Sequence, residues 1–185
     1  MKTSNKEVND IVKDFPENIS ELIINLHQTK DSISRIEAKN RLEKKGRSVL
    51  PYLNKLLVVE DNLLRREIAK IMEYIADKTT IPVFINLLDD DDSGMRWIAA
   101  EGLIRIGRDC IAPLLKSILD DQHESYFLRL GAHHVFKSLF TDDEKLKMNA
   151  LMRSLQHYLE IGVTVSIETL NALKTFEAKE IKSKI

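Results

Sequence analysis

The 185-residue chain holds a single cysteine, Cys110, so no disulfide can form within it. Only 6 glycines and 4 prolines punctuate it, too few for a loop-rich all-β fold. No run of about 18 apolar residues occurs, so no membrane span is expected. The first residues, MKTSNKEVND, lack the apolar stretch of a secretory signal, which makes a cytoplasmic location the default expectation. Charge of one sign is also missing. Lys and Arg number 28 against 29 Asp and Glu, a formal net charge of -1. General nucleic-acid binding needs a basic face, so no nucleic-acid partner is expected.

What is present is apolar and periodic. Hydrophobic residues make up 43% of the chain, a globular composition. They recur at i, i+3, i+4, as in LLRREIAKIMEYIA, and this spacing predicts an all-α protein.

The helical segments repeat. MRWIAAEGLIRIG (Met95 to Gly107) aligns with LLRREIAKIMEYIA (Leu63 to Ala76), ISRIEAKNRLEKKG (Ile33 to Gly46) and FLRLGAHHVFKSLF (Phe127 to Phe140). Arg35, Arg65, Arg96 and Arg129 form one column; Ala38, Ile68, Ala99 and Ala132 form another. Pro51, Pro82 and Pro113 open apolar runs between these segments, and Pro fits a first helical turn. Ser48 and Thr79, three residues earlier, are expected N-caps, and Pro16 is expected to end a short N-terminal helix. Asp31, Asp61 and Asp92 each stand four residues before the column Arg, as caps of the second helices. Ser125 takes that place in the fourth pair, where a wider spacing predicts an enlarged turn at Asp120 to Ser125.

The unit is thus helix, turn, helix, with a period near 31 residues. One such pair cannot bury its apolar faces alone, whereas stacked pairs build a continuous core. IPVFINLLDDDDSGMRWIAAEGLIRIG, the Asp and Arg columns and the aligned prolines resemble the HEAT repeat, in the short variant named after phycobilisome lyases. The resemblance implies a right-handed α-α superhelix, a HEAT-like solenoid of about five helical pairs. An N-terminal capping helix over 1–17, four pairs over 18–140 and a degenerate capping pair with a tail over 141–185 form one domain in this reading. Two capping boxes are predicted, Ser4 with Glu7 and Thr141 with Glu144. Val8, Ile11, Val12 and Phe15 give the first cap its apolar side. Leu146, Leu151, Met152, Leu155, Leu159, Ile167, Leu170, Leu173 and Phe176 do so for the last.

Chemistry is hard to build from these residues. His133 and His134 are neighbours and diverge by about 100° on a helix, so they do not converge on a metal. His123-Glu124 is similar to one His-Glu pair of the HEAT-type iron enzyme deoxyhypusine hydroxylase, but that enzyme uses several such pairs. Cys110 sits at a helix start, where thiol pKa values fall, yet the sequence offers no partnered base and a structural role is preferred. The acidic run Asp89 to Asp92 lacks the alternating ligands of a calcium loop. No cofactor is expected. In similar arrays, Asp31, Asp61 and Asp92 with Arg35, Arg65, Arg96 and Arg129 are expected to link neighbouring repeats as a ladder.

The resemblance also places the second helices on the concave side. Their outward positions include Arg66, Glu67, Lys70 and Tyr74 in pair two and Trp97, Ile98, Glu101, Ile104 and Arg105 in pair three. Pair four supplies Leu130 and His134. An apolar centre within a charged rim is the composition of a protein-binding patch. The reading is a non-catalytic scaffold or adaptor that binds another protein. The alternative is an enzyme or enzyme subunit, bilin-lyase-like or acting on nucleic acid; Trp97 with Glu101 one turn on is the only echo of the latter.

Overall fold

The computed structural model describes residues 2–121, 125–156 and 162–183, and every regular element among them is helical. The helices start where the acidic column says they should. Asp31 accepts hydrogen bonds from the Ile33 and Ser34 N–H groups, Asp61 from Leu63 and Leu64, and Asp92 from Gly94. Ser125 does the same for Leu128. Each satisfies donors that the first helical turn leaves without an intrahelical partner. Hydrogen bonds from the Ser34 hydroxyl and N–H hold the Asp31 carboxyl below the usual carboxylate range.

The chain forms two compact units, residues 1–80 and 81–185. The first contains α1 (Lys2–Val12), α2 (Glu17–Gln28), α3 (Ser32–Lys45), α4 (Leu50–Lys55) and α5 (Asn62–Ile75). α2 pairs with α3 and α4 with α5, while α3 packs on α5 and α1 on α2. Val8, Leu22, Ile23, Leu42, Leu53 and Ile68 are fully or almost fully buried in its core. Lys39 reaches Glu67 at 3.8 Å and His27 lies 3.7 Å from Asp61, both joining pair one to pair two.

The second unit contains α6 (Ile81–Leu87), α7 (Ser93–Ile106), α8 (Ile111–Asp120), α9 (Tyr126–Leu139), α10 (Asp142–Lys147), α11 (Asn149–Gln156) and α12 (Gly162–Ser183). Here α6 and α7 form one pair, α8 and α9 the next, with α6 against α8 and α7 against α9. Close approach rests on two glycines. A Cβ on Gly102 would stand 2.7 Å from the Phe84 ring, and one on Gly131 2.7 Å from Leu88 Cδ2. α7 is therefore packed on two sides, by α6 and α9, and needs apolar groups on more than one face. Ile98, expected to face outward, is buried together with Met95, Ala99 and Leu103.

Several local expectations are corrected. A 3-10 turn precedes each Pro-led helix, over Gly46–Val49, Lys78–Thr80 and Arg108–Cys110. Ser48 and Thr79 lie inside these turns. Ser48 Oγ donates back to Lys45 O, and Asp77 accepts from Thr79 N and Oγ1, so neither residue caps a helix. Pro16 stands at the start of α2, with its carbonyl accepting from Ile19 and Ser20, rather than at the end of α1. Ser4 lies within α1, which begins before it rather than at it. The first helix of the fourth pair is longer, 10 residues in α8 against 7 in α6, and residues 122–124 of the turn expected to be enlarged lie outside the described residues.

The C-terminal segment is three helices, not a plain fifth pair, and its order is reversed. α11 packs on α9, the second helix of its neighbour, whereas α12 packs on α8, the first. The Thr141–Glu144 capping box is present. Its apolar side differs from the expectation: Leu146, Ile167 and Leu170 are exposed, while Val165, Thr169, Ala172, Leu173 and Phe176 form the buried stripe of α12. Leu159 and the His123-Glu124 pair fall outside the described residues.

Candidate partner-binding groove

The arginine column divides by surroundings. Arg65 Nε donates to Leu57 O at 2.8 Å and its Nη1 to Asn62 at 3.1 Å. Arg96 Nη1 donates to the Asp90 and Asp91 carbonyls at 2.7 and 3.1 Å. These bonds tie a second helix to the turn before it, inside one pair. Arg129 is buried, and Arg35 is exposed. A direct link from pair three to pair four in this region is the Ser125 hydroxyl on Asp89.

In the first unit, Glu67 accepts from Lys70 at 3.3 Å and also faces Lys39. Arg66 is half-buried and Tyr74 stays 56% exposed. These four proposed contact residues thus lie along α5.

In the second unit, α7 and α9 bring several proposed contact residues together. The Trp97 ring lies 5.1 Å from that of His134, tilted by 39°. His134 Nε2 is 3.0 Å from Glu101 Oε1, so an acid of pair three fixes an imidazole of pair four. Trp97 remains 60% exposed, and Gln156 at the end of α11 lines the same groove. Beside it opens a groove of about 450 Å³, walled by Trp97, Phe127 and Leu130, floored by Ala100 and Gly131, and reached by Lys137 and His133. Phe127 is held by the Arg96 guanidinium, 3.9 Å above its ring. The sequence reading passed over Phe127; its aromatic neighbour Tyr126 and the Arg column were the available signals. Ile104 is half-buried and Arg105 exposed at the far end of α7.

Burial holds the His133 imidazole below its ordinary value, and the positive charges of Lys137 and His134 add to the shift. Cys110 is a different case. It is fully buried, donates to Leu103 O, and burial pushes its thiol up to about 12. A thiol so placed is protonated at neutral pH and is a packing group. Among the described residues no group of three His, Cys, Asp or Glu gathers as metal ligands would, and no helix is long and apolar enough to cross a membrane.

Helix pairs whose second helices are capped by Asp or Ser and stack second on second, α3 on α5 and α7 on α9, define a helical-repeat protein. The family model of HEAT repeats matches residues 49–132, which cover pairs two and three and reach into α9. No curated protein and no solved structure matches the chain.

Proposed function

We propose that this chain is a non-catalytic protein-interaction module that works in the cytoplasm and docks its partner on exposed second-helix surface around Trp97. The observation that carries the reading is the exposure of Trp97, 60% open beside Phe127 and Leu130, which are 42% and 43% open. Large apolar groups gathered at a surface within a charged rim mark an interaction site. The buried, protonated Cys110 supports a non-catalytic role. The period near 31 residues supports the short, phycobilisome-lyase-like type of HEAT repeat.

The test compares wild type with Trp97→Ala in affinity capture. The variant is expected to lose a partner that the wild type retains, because a central anchor contributes about 2 kcal/mol or more. Its melting midpoint is expected to stay within about 2 °C, as befits a surface substitution. Unchanged capture, or a large loss of stability, overturns the reading.

A further inference from the structure

We propose that the groove between α7 and α9 takes an acidic peptide segment. An apolar side chain of that segment seats against Trp97, Phe127 and Leu130, and neighbouring carboxylates meet Lys137 and His133. The inference deepens the docking reading above and rests on it. Its basis is the mismatch between the groove's apolar and polar parts. Among the described residues, the ionisable side chains lining it are basic: Arg96, His133, His134 and Lys137. Several nearby acids are engaged elsewhere. Glu101 holds His134, Asp90 accepts from Asp92 N, Asp92 caps α7, and Asp89 takes the Ser125 hydroxyl. Lys137 is exposed and forms no ion pair among the described residues. An exposed Lys137 cation and a His133 imidazole able to donate an N–H, beside an apolar wall, are complementary to carboxylates beside an apolar side chain.

A single-stranded nucleic acid also combines negative charge with flat apolar groups, but it needs open ring faces on which to stack. Here Arg96 covers the Phe127 ring and His134 lies against Trp97. The balanced charge of the whole chain supplies no extended basic track for a phosphate backbone. A side chain entering between the rings fits these walls better than a stacked base.

Trp97 is the sole tryptophan, so emission excited selectively at tryptophan, beyond tyrosine absorption, reads this groove. The full chain is titrated with three probes: a pool of peptides of about a dozen residues with Leu or Phe at the centre and Asp or Glu around it, a matched pool with Lys or Arg around the same centre, and an oligothymidylate of similar length. The acidic pool is expected to shift Trp97 emission saturably, and the basic pool to have little effect. Lys137→Glu, on an exposed side chain, is expected to weaken the acidic pool about tenfold, and added salt to weaken it further. Equal response to both peptide pools overturns the acidic preference and leaves the docking reading standing. Silence from both pools overturns the two together. Tighter binding of the oligonucleotide overturns both in favour of a nucleic-acid ligand.

Discussion

Ala76 closes α5 in the left-handed region, at φ 49° and ψ 42°, with its N–H on Met72 O. The equivalent residues of the pairs before and after are Gly46 at φ 58° and Gly107 at φ 89°. A Cβ in this region crowds the following carbonyl and costs roughly 1–2 kcal/mol, while glycine adds about 0.4–1 kcal/mol of freedom to the unfolded chain. The first effect is the larger. Ala76→Gly is therefore expected to stabilise the protein by about 0.5–1 kcal/mol, raising the thermal midpoint by about 1–4 °C in a melting curve. A lower midpoint refutes the strain argument. At this scale much was legible: the Asp caps and the closing glycines stand at fixed spacing and act locally. Ser48 and Thr79 misled because a hydroxyl shortly before Pro suits both a helix cap and a 3-10 turn, and only backbone geometry separates the two.

Between elements the decisive contact spans 36 residues. Glu144, 4% exposed, accepts from Arg108 Nη1 at 3.0 Å and Nη2 at 2.8 Å. It also accepts from Thr141 N at 3.0 Å. Arg108 Nη1 donates in addition to Leu139 O at 3.0 Å. One guanidinium thus joins the turn before α8 to the end of α9 and the start of α10, and the bond to Glu144 holds it above its ordinary pKa. Thr141 and Glu144 were readable as a capping box, since both partners lie within one turn. Arg108 was not, since nothing in a local pattern announces a partner three helices away. Arg108→Ala strands a buried carboxylate and is expected to cost about 2–3 kcal/mol. The half-exposed guanidinium keeps the figure below that of a fully buried pair. Arg108→Lys should restore part of it, because a point charge replaces a two-pronged bond. Urea melts of the three proteins decide this, and equal midpoints for wild type and Arg108→Ala would show that the pair contributes nothing.

For the whole molecule, repetition carried the reading furthest: a period of about 31 residues located all four pairs and the all-α class. It failed where repetition ends. A regular fifth pair would set its first helix on α8, and the apolar positions of 162–183 allow more than one buried stripe. Docking in reverse order selects Val165, Ala172, Leu173 and Phe176 and leaves Ile167 and Leu170 in water. The reversed cap makes a specific demand on stability. Phe136 and Phe140 stack at 5.0 Å, Phe140 stacks on Phe176 at 5.4 Å, and both Phe136 and Phe140 are buried. Deleting 141–185 removes the cover of α9 and α8 together and breaks the Arg108–Glu144 pair. Re-exposing each such side chain costs roughly 1.5–3 kcal/mol, so several at once approach the 5–15 kcal/mol that holds a typical domain. The truncated chain is expected to self-associate on size exclusion or to melt well below the full chain. Deleting 162–185 alone, which spares α11 on α9, should fall between the two. A monomeric 1–140 chain with an unchanged melting midpoint refutes the capping role of this segment, since a solenoid end without its polar cap exposes the apolar face that its stacked repeats bury.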